Sequence, residues 1–228
     1  MRQLALSVKL RDGAAFASFV VGANAEAVAA LRDGVGRLVW LWGAHGAGKT
    51  HLLQAICAAA TARSAYFPLN RGVGLPPEAL QGFETARTLC LDDVDAVAGD
   101  AAWERTLFEL FNESAELDTR LIFAACAAPR TLAWCLPDWR SRSAACTVYQ
   151  LRPLDESGRL QALRHRAAQR GLVLPADTAE YLLKRMPRDL ASLLDVLDQL
   201  DDASLAAQRR LTVPFIRDAL EKYAKTRP

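Results

Sequence analysis

The stretch Gly43-Ala44-His45-Gly46-Ala47-Gly48-Lys49-Thr50 constrains this chain more than any other feature in it. It fits the pattern G-x-x-x-x-G-K-S/T, follows an apolar run from Leu38 to Trp42, and opens a helical stretch from His51 to Ala60. Strand, glycine loop and helix in that order make a phosphate-binding loop. Glycines let backbone N–H groups approach phosphate closely, and the exposed amides of the helix start add partial positive charge. Gly43, Gly46, Gly48, Lys49, Thr50 and His51 are therefore candidate nucleotide-binding residues, with Lys49 neutralising phosphate charge and Thr50 placed to hold Mg²⁺. A plain glycine turn would explain the glycines and leave the lysine unexplained.

Further apolar runs at Tyr66 to Leu69, Leu89 to Leu91, Leu121 to Ala125 and Thr147 to Leu151 read as buried strands. Helical stretches lie between most of them, including Asn24 to Asp33, where Asn24 reads as the N-cap, and Ala101 to Leu117. That alternation predicts an α/β fold, a parallel sheet with helices on both faces. After Pro153 the strand signal ends. Helices are expected at about 155–170, 176–184, 188–202 and 214–225, which make a small all-α lid. The boundary falls at Arg152 and Pro153, because a residue before proline is pushed out of helical geometry. The organisation is residues 1–10 as a terminal peptide, 11–152 as the nucleotide-binding domain and 153–228 as the lid.

The run Leu89-Cys90-Leu91 ends in Asp92 and Asp93, carboxylates suited to orienting magnesium (Asp92) and an attacking water (Asp93). By itself an acidic strand end reads as a turn or cap; the phosphate loop is what gives it a catalytic meaning. A net charge of +2 from 28 basic and 26 acidic residues does not favour direct duplex binding. The five cysteines lie mostly in apolar runs and read as buried thiols of a reducing compartment, with neither a disulfide framework nor a zinc site implied. No signal peptide or membrane span is evident, so a cytoplasmic location is expected.

Beyond the two nucleotide motifs, the chain resembles the DnaA-like branch of AAA+ proteins, and within it the regulators that inactivate the initiator. The likeness rests on Asp92 to Asp100 running into Trp103-Glu104, on Leu136-Pro137-Asp138-Trp139-Arg140-Ser141-Arg142, and on Leu197 to Asp201 with Leu211-Thr212-Val213-Pro214-Phe215. The resemblance implies a P-loop AAA+ domain with a helical lid, binding ADP or ATP with Mg²⁺. It makes Arg142 the arginine finger offered in trans, where residues alone suggest an ion pair with Asp138 one helical turn away. Arg188 becomes the lid arginine that reaches the phosphates. Phe16 and Phe19, with Val20, Gly22 and Asn24, correspond to the adenine-lining segment, and Gln3, Leu4 and Leu6 to a peptide docking on the DNA polymerase sliding clamp.

Taken together, the resemblance implies a negative regulator of replication initiation that promotes hydrolysis of DnaA-bound ATP. Its partners are the DnaA initiator and the sliding clamp, with a homo-oligomer implied by subunit-shared sites, DNA contacted only indirectly and no membrane. Cys126-Ala127-Ala128 departs from the pattern, since many AAA+ proteins place a polar residue there beside the attacking water. That departure argues against strong intrinsic hydrolysis. The alternatives are an ATPase loader or motor using Lys49 and Asp93 for its own turnover, and a DNA-associated adaptor of the initiator type.

Overall fold

The computed structural model describes residues 14–70, 75–83, 85–186, 189–207 and 211–218. Gln3, Leu4, Leu6 and Arg188 lie outside the described residues. Two compact units divide the chain, the first ending at Pro153 and the second beginning at Leu154.

In the first unit, β1 (Leu38–Trp42), β2 (Ser64–Pro68), β3 (Thr88–Asp92), β4 (Arg120–Ala125) and β5 (Thr147–Gln150) form a five-stranded sheet in the order β2-β3-β4-β1-β5. Every pairing is parallel, as the alternation of strands and helices predicts. The interior strands β1, β3 and β4 are largely apolar because both of their faces are covered, whereas β5, expected from its sequence to be buried, lies at the sheet edge and is mostly exposed. Trp40, Leu121 and Phe123 point to one side, where Leu107, Leu110 and Phe111 of α3 (Ala101–Glu116) and Trp139 of α4 (Pro137–Ser143) meet them. Val39, Leu41, Ile122 and Ala124 point to the other, against α1 (Ala25–Arg32) and α2 (Lys49–Ala59). Each fully buried leucine or phenylalanine in these layers contributes about 1.5–3 kcal/mol.

Two local features differ from the expected ones. Asn24 occupies the position before α1, yet its side chain makes no cap hydrogen bond. Instead its amide donates to the Arg152 carbonyl at 3.0 Å and accepts from the Arg152 N–H at 2.8 Å. The cysteines are also not uniformly buried: Cys90 and Cys146 are, Cys57 is half-buried, and Cys126 and Cys135 are exposed. The exposed pair sit in loops, Cys126 just past β4 and Cys135 just before α4, where apolar neighbours in sequence do not translate into cover in space.

The second unit is helical, with α5 (Glu156–Gln169), α6 (Ala176–Arg185), α7 (Leu190–Ala207) and a further helical stretch at 213–218. Leu163, Leu182, Leu197, Leu200, Phe215 and Ile216 are among the residues of its own core. Arg166 on α5 and Arg170 at its C-terminal cap, one turn apart, face Asp198 and Asp201 on α7. Arg166 grips Asp198 with two nitrogens, Nε donating to Oδ1 at 3.0 Å and Nη2 to Oδ2 at 2.6 Å. The acidic spacing in Leu197-Asp198-Gln199-Leu200-Asp201 thus has a structural use: two apolar positions feed the core while two carboxylates bind α5. No helix among the described residues is long and apolar enough to cross a membrane.

Candidate functional site

The phosphate loop runs from the end of β1 into α2, so its position is fixed by an interior strand of the sheet, paired with β4 and β5. Gly48 adopts a φ of +95°, and a Cβ there would meet Phe19 Cε2 at 2.6 Å. A Cβ on Gly43 would overlap the Leu151 carbonyl oxygen. Both positions demand glycine, one for conformation and space together, the other for space.

Lys49 is buried, and its ammonium donates to the carbonyls of Gly43 at 2.7 Å and Ala44 at 3.1 Å and reaches Cys126 Sγ at 3.8 Å. Among the described residues no carboxylate lies within ion-pair distance of it. An uncompensated buried charge is expensive, and an anion over the loop would offset it. A polyphosphate therefore fits this cradle.

One residue on, Thr50 Oγ1 donates to Asp92 Oδ2 at 2.6 Å, so the hydroxyl and the carboxylate expected to share a magnesium are already adjacent. Two oxygen donors fit Mg²⁺, which keeps most of its waters and takes one or two protein ligands beside a phosphate. The Tyr66 hydroxyl, which sequence reasoning left as a strand residue, donates to the same oxygen at 2.8 Å. Burial first, then the charge and hydrogen bond of Asp92, push the Tyr66 phenol well above its ordinary range, so its proton is retained.

Asp93 takes a left-handed conformation with φ 55° and turns the chain out of β3. Its carboxyl is held above the usual range, chiefly by burial and then by the negative charges of Asp92 and Asp95. Asp95 in turn accepts the Cys126 N–H at 3.1 Å, tying the end of β4 to the acidic turn. Although Cys126 is exposed as a residue, partial desolvation of its thiol is the largest influence raising it, and the thiol stays protonated.

On the other side of the loop, Phe19 packs beside His51, with ring centroids 5.6 Å apart. His51 Nε2 lies 3.0 Å from the Ala15 carbonyl and 3.3 Å from Ser18 Oγ. The segment 15–19 is thus laid against the start of α2, next to the phosphate loop. Phe16 stands differently: it carries the Arg32 guanidinium 5.6 Å from its ring centre.

Arg142 lies on α4, exposed to solvent, with its guanidinium 5.8 Å from the centre of the Phe111 ring. The ion pair with Asp138 that its spacing allows is not formed. Glu104, fully buried on α3, accepts three backbone N–H groups: Gly99 at 2.7 Å, Cys135 at 3.1 Å and Leu136 at 2.7 Å. Leu136 immediately precedes α4, so this carboxylate anchors the helix on which Arg142 stands.

Residues 155–220 match the family model for the Hda lid domain. The chain superposes on domain III of the Thermotoga maritima replication initiation protein DnaA with a TM-score of 0.78 at 22% identity, covering 93% of this chain and 98% of that one. The second unit of the chain is thus similar to the Hda lid domain, and the chain shares the fold of DnaA domain III. AMPPCP-bound DnaA from Aquifex aeolicus is similar to it over 85% of this chain and 66% of that one, with a TM-score of 0.69 at 20% identity. The Thermotoga maritima RuvB Holliday junction branch migration motor gives 0.62 at 18% identity, over 85% of this chain and 64% of that one. These likenesses show that the sheet unit has the AAA+ fold.

Proposed function

We propose that this chain is a nucleotide-bound regulator of replication initiation that docks on the DNA-loaded sliding clamp and presents Arg142 to the ATP held by DnaA. The observation that carries this reading is the state of Arg142: an exposed guanidinium with no carboxylate partner among the described residues, on a helix anchored by a buried glutamate. A finger must be held in place yet free to meet another molecule's phosphate. The Phe111 ring beneath it contributes about 0.5–1 kcal/mol of cation–π attraction, enough to bias the side chain and too little to lock it.

ADP or ATP would be held by the backbone amides of residues 43–50 and by Lys49, with Phe19, His51 and Arg188 as the further candidate nucleotide-binding residues. Thr50 and Asp92 are the residues that would hold Mg²⁺, which would supply charge neutralisation at the phosphates. That the Aquifex aeolicus DnaA is AMPPCP-bound supports nucleotide binding by this chain. Cys126 supports weak turnover by this chain alone. A protonated thiol 3.8 Å from Lys49 is a poor hydrogen-bonding partner for an attacking water. The work falls to Arg142 acting on DnaA, where a finger in trans accelerates hydrolysis by about 10³ to 10⁵. Gln3, Leu4 and Leu6 supply the clamp peptide, and self-association through AAA+ surfaces is part of the same reading.

The test is ATP hydrolysis by purified DnaA with and without this chain, in the presence of clamp loaded on DNA. Stimulation that requires the clamp and disappears in Arg142→Ala is expected. Absence of stimulation together with steady ATP turnover by this chain alone would replace the regulatory reading with that of a motor or loader, with Asp93 serving its own hydrolysis.

A further inference from the structure

The Asp92 carboxylate is almost wholly buried, and three donors converge on it. Oδ2 accepts from Thr50 Oγ1 at 2.6 Å and from the Tyr66 hydroxyl at 2.8 Å, while Oδ1 accepts from the Asp93 N–H at 3.1 Å. Thr50 belongs to the phosphate loop and Asp93 to the same turn as Asp92, so both are accounted for by the nucleotide motifs. Tyr66 is not.

Its place follows from sheet register. Tyr66 pairs with Cys90 and Pro68 with Asp92, so Tyr66 lies one pleat below Asp92 on the same face of the sheet. A tyrosine is long enough to span that diagonal between neighbouring strands. The Tyr66 oxygen is also hydrogen-bonded by the side chain of Gln54, a buried residue of α2. With Gln54 on one side of the phenol oxygen, its single proton is directed to Asp92. The chain Gln54, Tyr66, Asp92, Thr50 thus closes a ring that starts and ends on α2 and passes through β2 and β3.

We propose that Tyr66 is a positioning residue for the metal-binding carboxylate, setting through its hydroxyl the orientation in which Asp92 faces a magnesium–nucleotide, and that Gln54 holds that hydroxyl in its donating direction. The inference rests on the reading of Thr50 and Asp92 as the magnesium residues. Without Tyr66, Asp92 keeps its charge, its place on β3 and the Asp93 N–H on Oδ1, but loses the contact from β2 that helps fix the plane of its carboxylate. Phosphate binding by the loop amides and Lys49 is left alone.

The experiment is calorimetric titration of ADP into the full chain, once with excess MgCl₂ and once with EDTA, for wild type, Tyr66→Phe, Gln54→Met and Asp92→Asn. Tyr66→Phe is expected to bind ADP in EDTA as wild type does and to lose about tenfold of the magnesium-dependent gain, the size of one hydrogen bond to a charged group. Gln54→Met is expected to lose a smaller part of the same gain. A Tyr66→Phe variant with the full gain, beside an Asp92→Asn variant that has lost it, overturns the positioning role. Full gain in Asp92→Asn overturns instead the magnesium reading on which the proposal rests. Equal losses with and without magnesium mean a merely structural tyrosine. If Tyr66→Phe does not fold, Gln54→Met decides, and an unchanged gain there overturns the proposal.

Discussion

Asn24 and Arg152 are joined by a reciprocal pair of hydrogen bonds, the Asn24 amide donating to the Arg152 carbonyl at 3.0 Å and receiving the Arg152 N–H at 2.8 Å. The side chain thereby behaves like a short piece of β-ladder, pairing with the backbone just past β5. It joins the segment that precedes α1, a few residues from Phe19, to the chain immediately before Pro153. Asn24→Ala strands both peptide groups of Arg152, at about 1–3 kcal/mol for each group left unsatisfied. The expected outcome is a loss of about 2–4 kcal/mol, read as a lower urea midpoint at unchanged slope. Asn24→Asp keeps the acceptor and should recover part of the loss.

Glu104 holds three backbone N–H groups from a site with no solvent access, and replacing it removes the partner of all three. Glu104→Ala is expected to destabilise the sheet unit by more than about 3 kcal/mol, the range of a broken buried network. Glu104→Gln presents one acceptor oxygen in place of two and is expected to be milder. It should fold, yet stimulate DnaA-bound ATP hydrolysis less than wild type, because the start of α4 at Leu136 is no longer fixed. Circular dichroism and the clamp-dependent hydrolysis assay on the same preparation separate the two effects.

Asp93 gives a pH dependence with a definite sign. Its carboxyl holds its proton more tightly in the fold than in the unfolded chain, first through burial and then through Asp92 and Asp95. Such a group favours folding below the ordinary carboxylate range, and that contribution is lost as pH rises through its raised pKa. Asp93→Asn, which tolerates the left-handed conformation, should therefore raise the thermal midpoint at neutral pH in the absence of nucleotide. Because Asp93 is only half-buried, the gain is under about 1 kcal/mol after solvent screening. It should shrink on acidification and vanish below about pH 4. A gain that is constant across that range would mean that relieved backbone strain, not charge, is responsible.

The parts of this site that are legible in the sequence are those whose chemistry is local. The phosphate loop is contiguous, its strand and helix flank it directly, and Asp92 sits at the end of its own apolar run. The two faces of the sheet are legible for the same reason, since Trp40 alternates with Val39 and Leu41 along a single strand. What escapes is set by partners remote in sequence. Asn24 reads as an N-cap because cap residues are recognised by type and place, whereas its actual partner is 128 residues away. Tyr66 carries no signal of its own; only the register of β2 on β3 brings it to Asp92. The exposed Cys126 and Cys135 show the converse error, in which apolar neighbours along the chain are mistaken for burial. α4, at seven residues, is too short for helical periodicity, although Pro137 at its first turn marks its start.

Gly48 offers a test of how the loop and the segment before α1 are coupled. Alanine there meets two obstacles: a φ of +95°, which L-residues rarely adopt, and Phe19 Cε2 at 2.6 Å from the new Cβ. The backbone term is on the order of 1–3 kcal/mol for a non-glycine residue held in a sparsely populated conformation. The steric term depends on whether the Phe19 ring can move. Gly48→Ala is expected to weaken ADP binding by more than tenfold, which is about 1.4 kcal/mol of binding free energy. The double variant Gly48→Ala with Phe19→Ala distinguishes the two obstacles. If the ring clash dominates, the double variant binds ADP better than Gly48→Ala alone, with a coupling above about 0.5 kcal/mol. If backbone conformation dominates, removing the ring restores nothing, and the loop's tolerance is set by Gly48 itself.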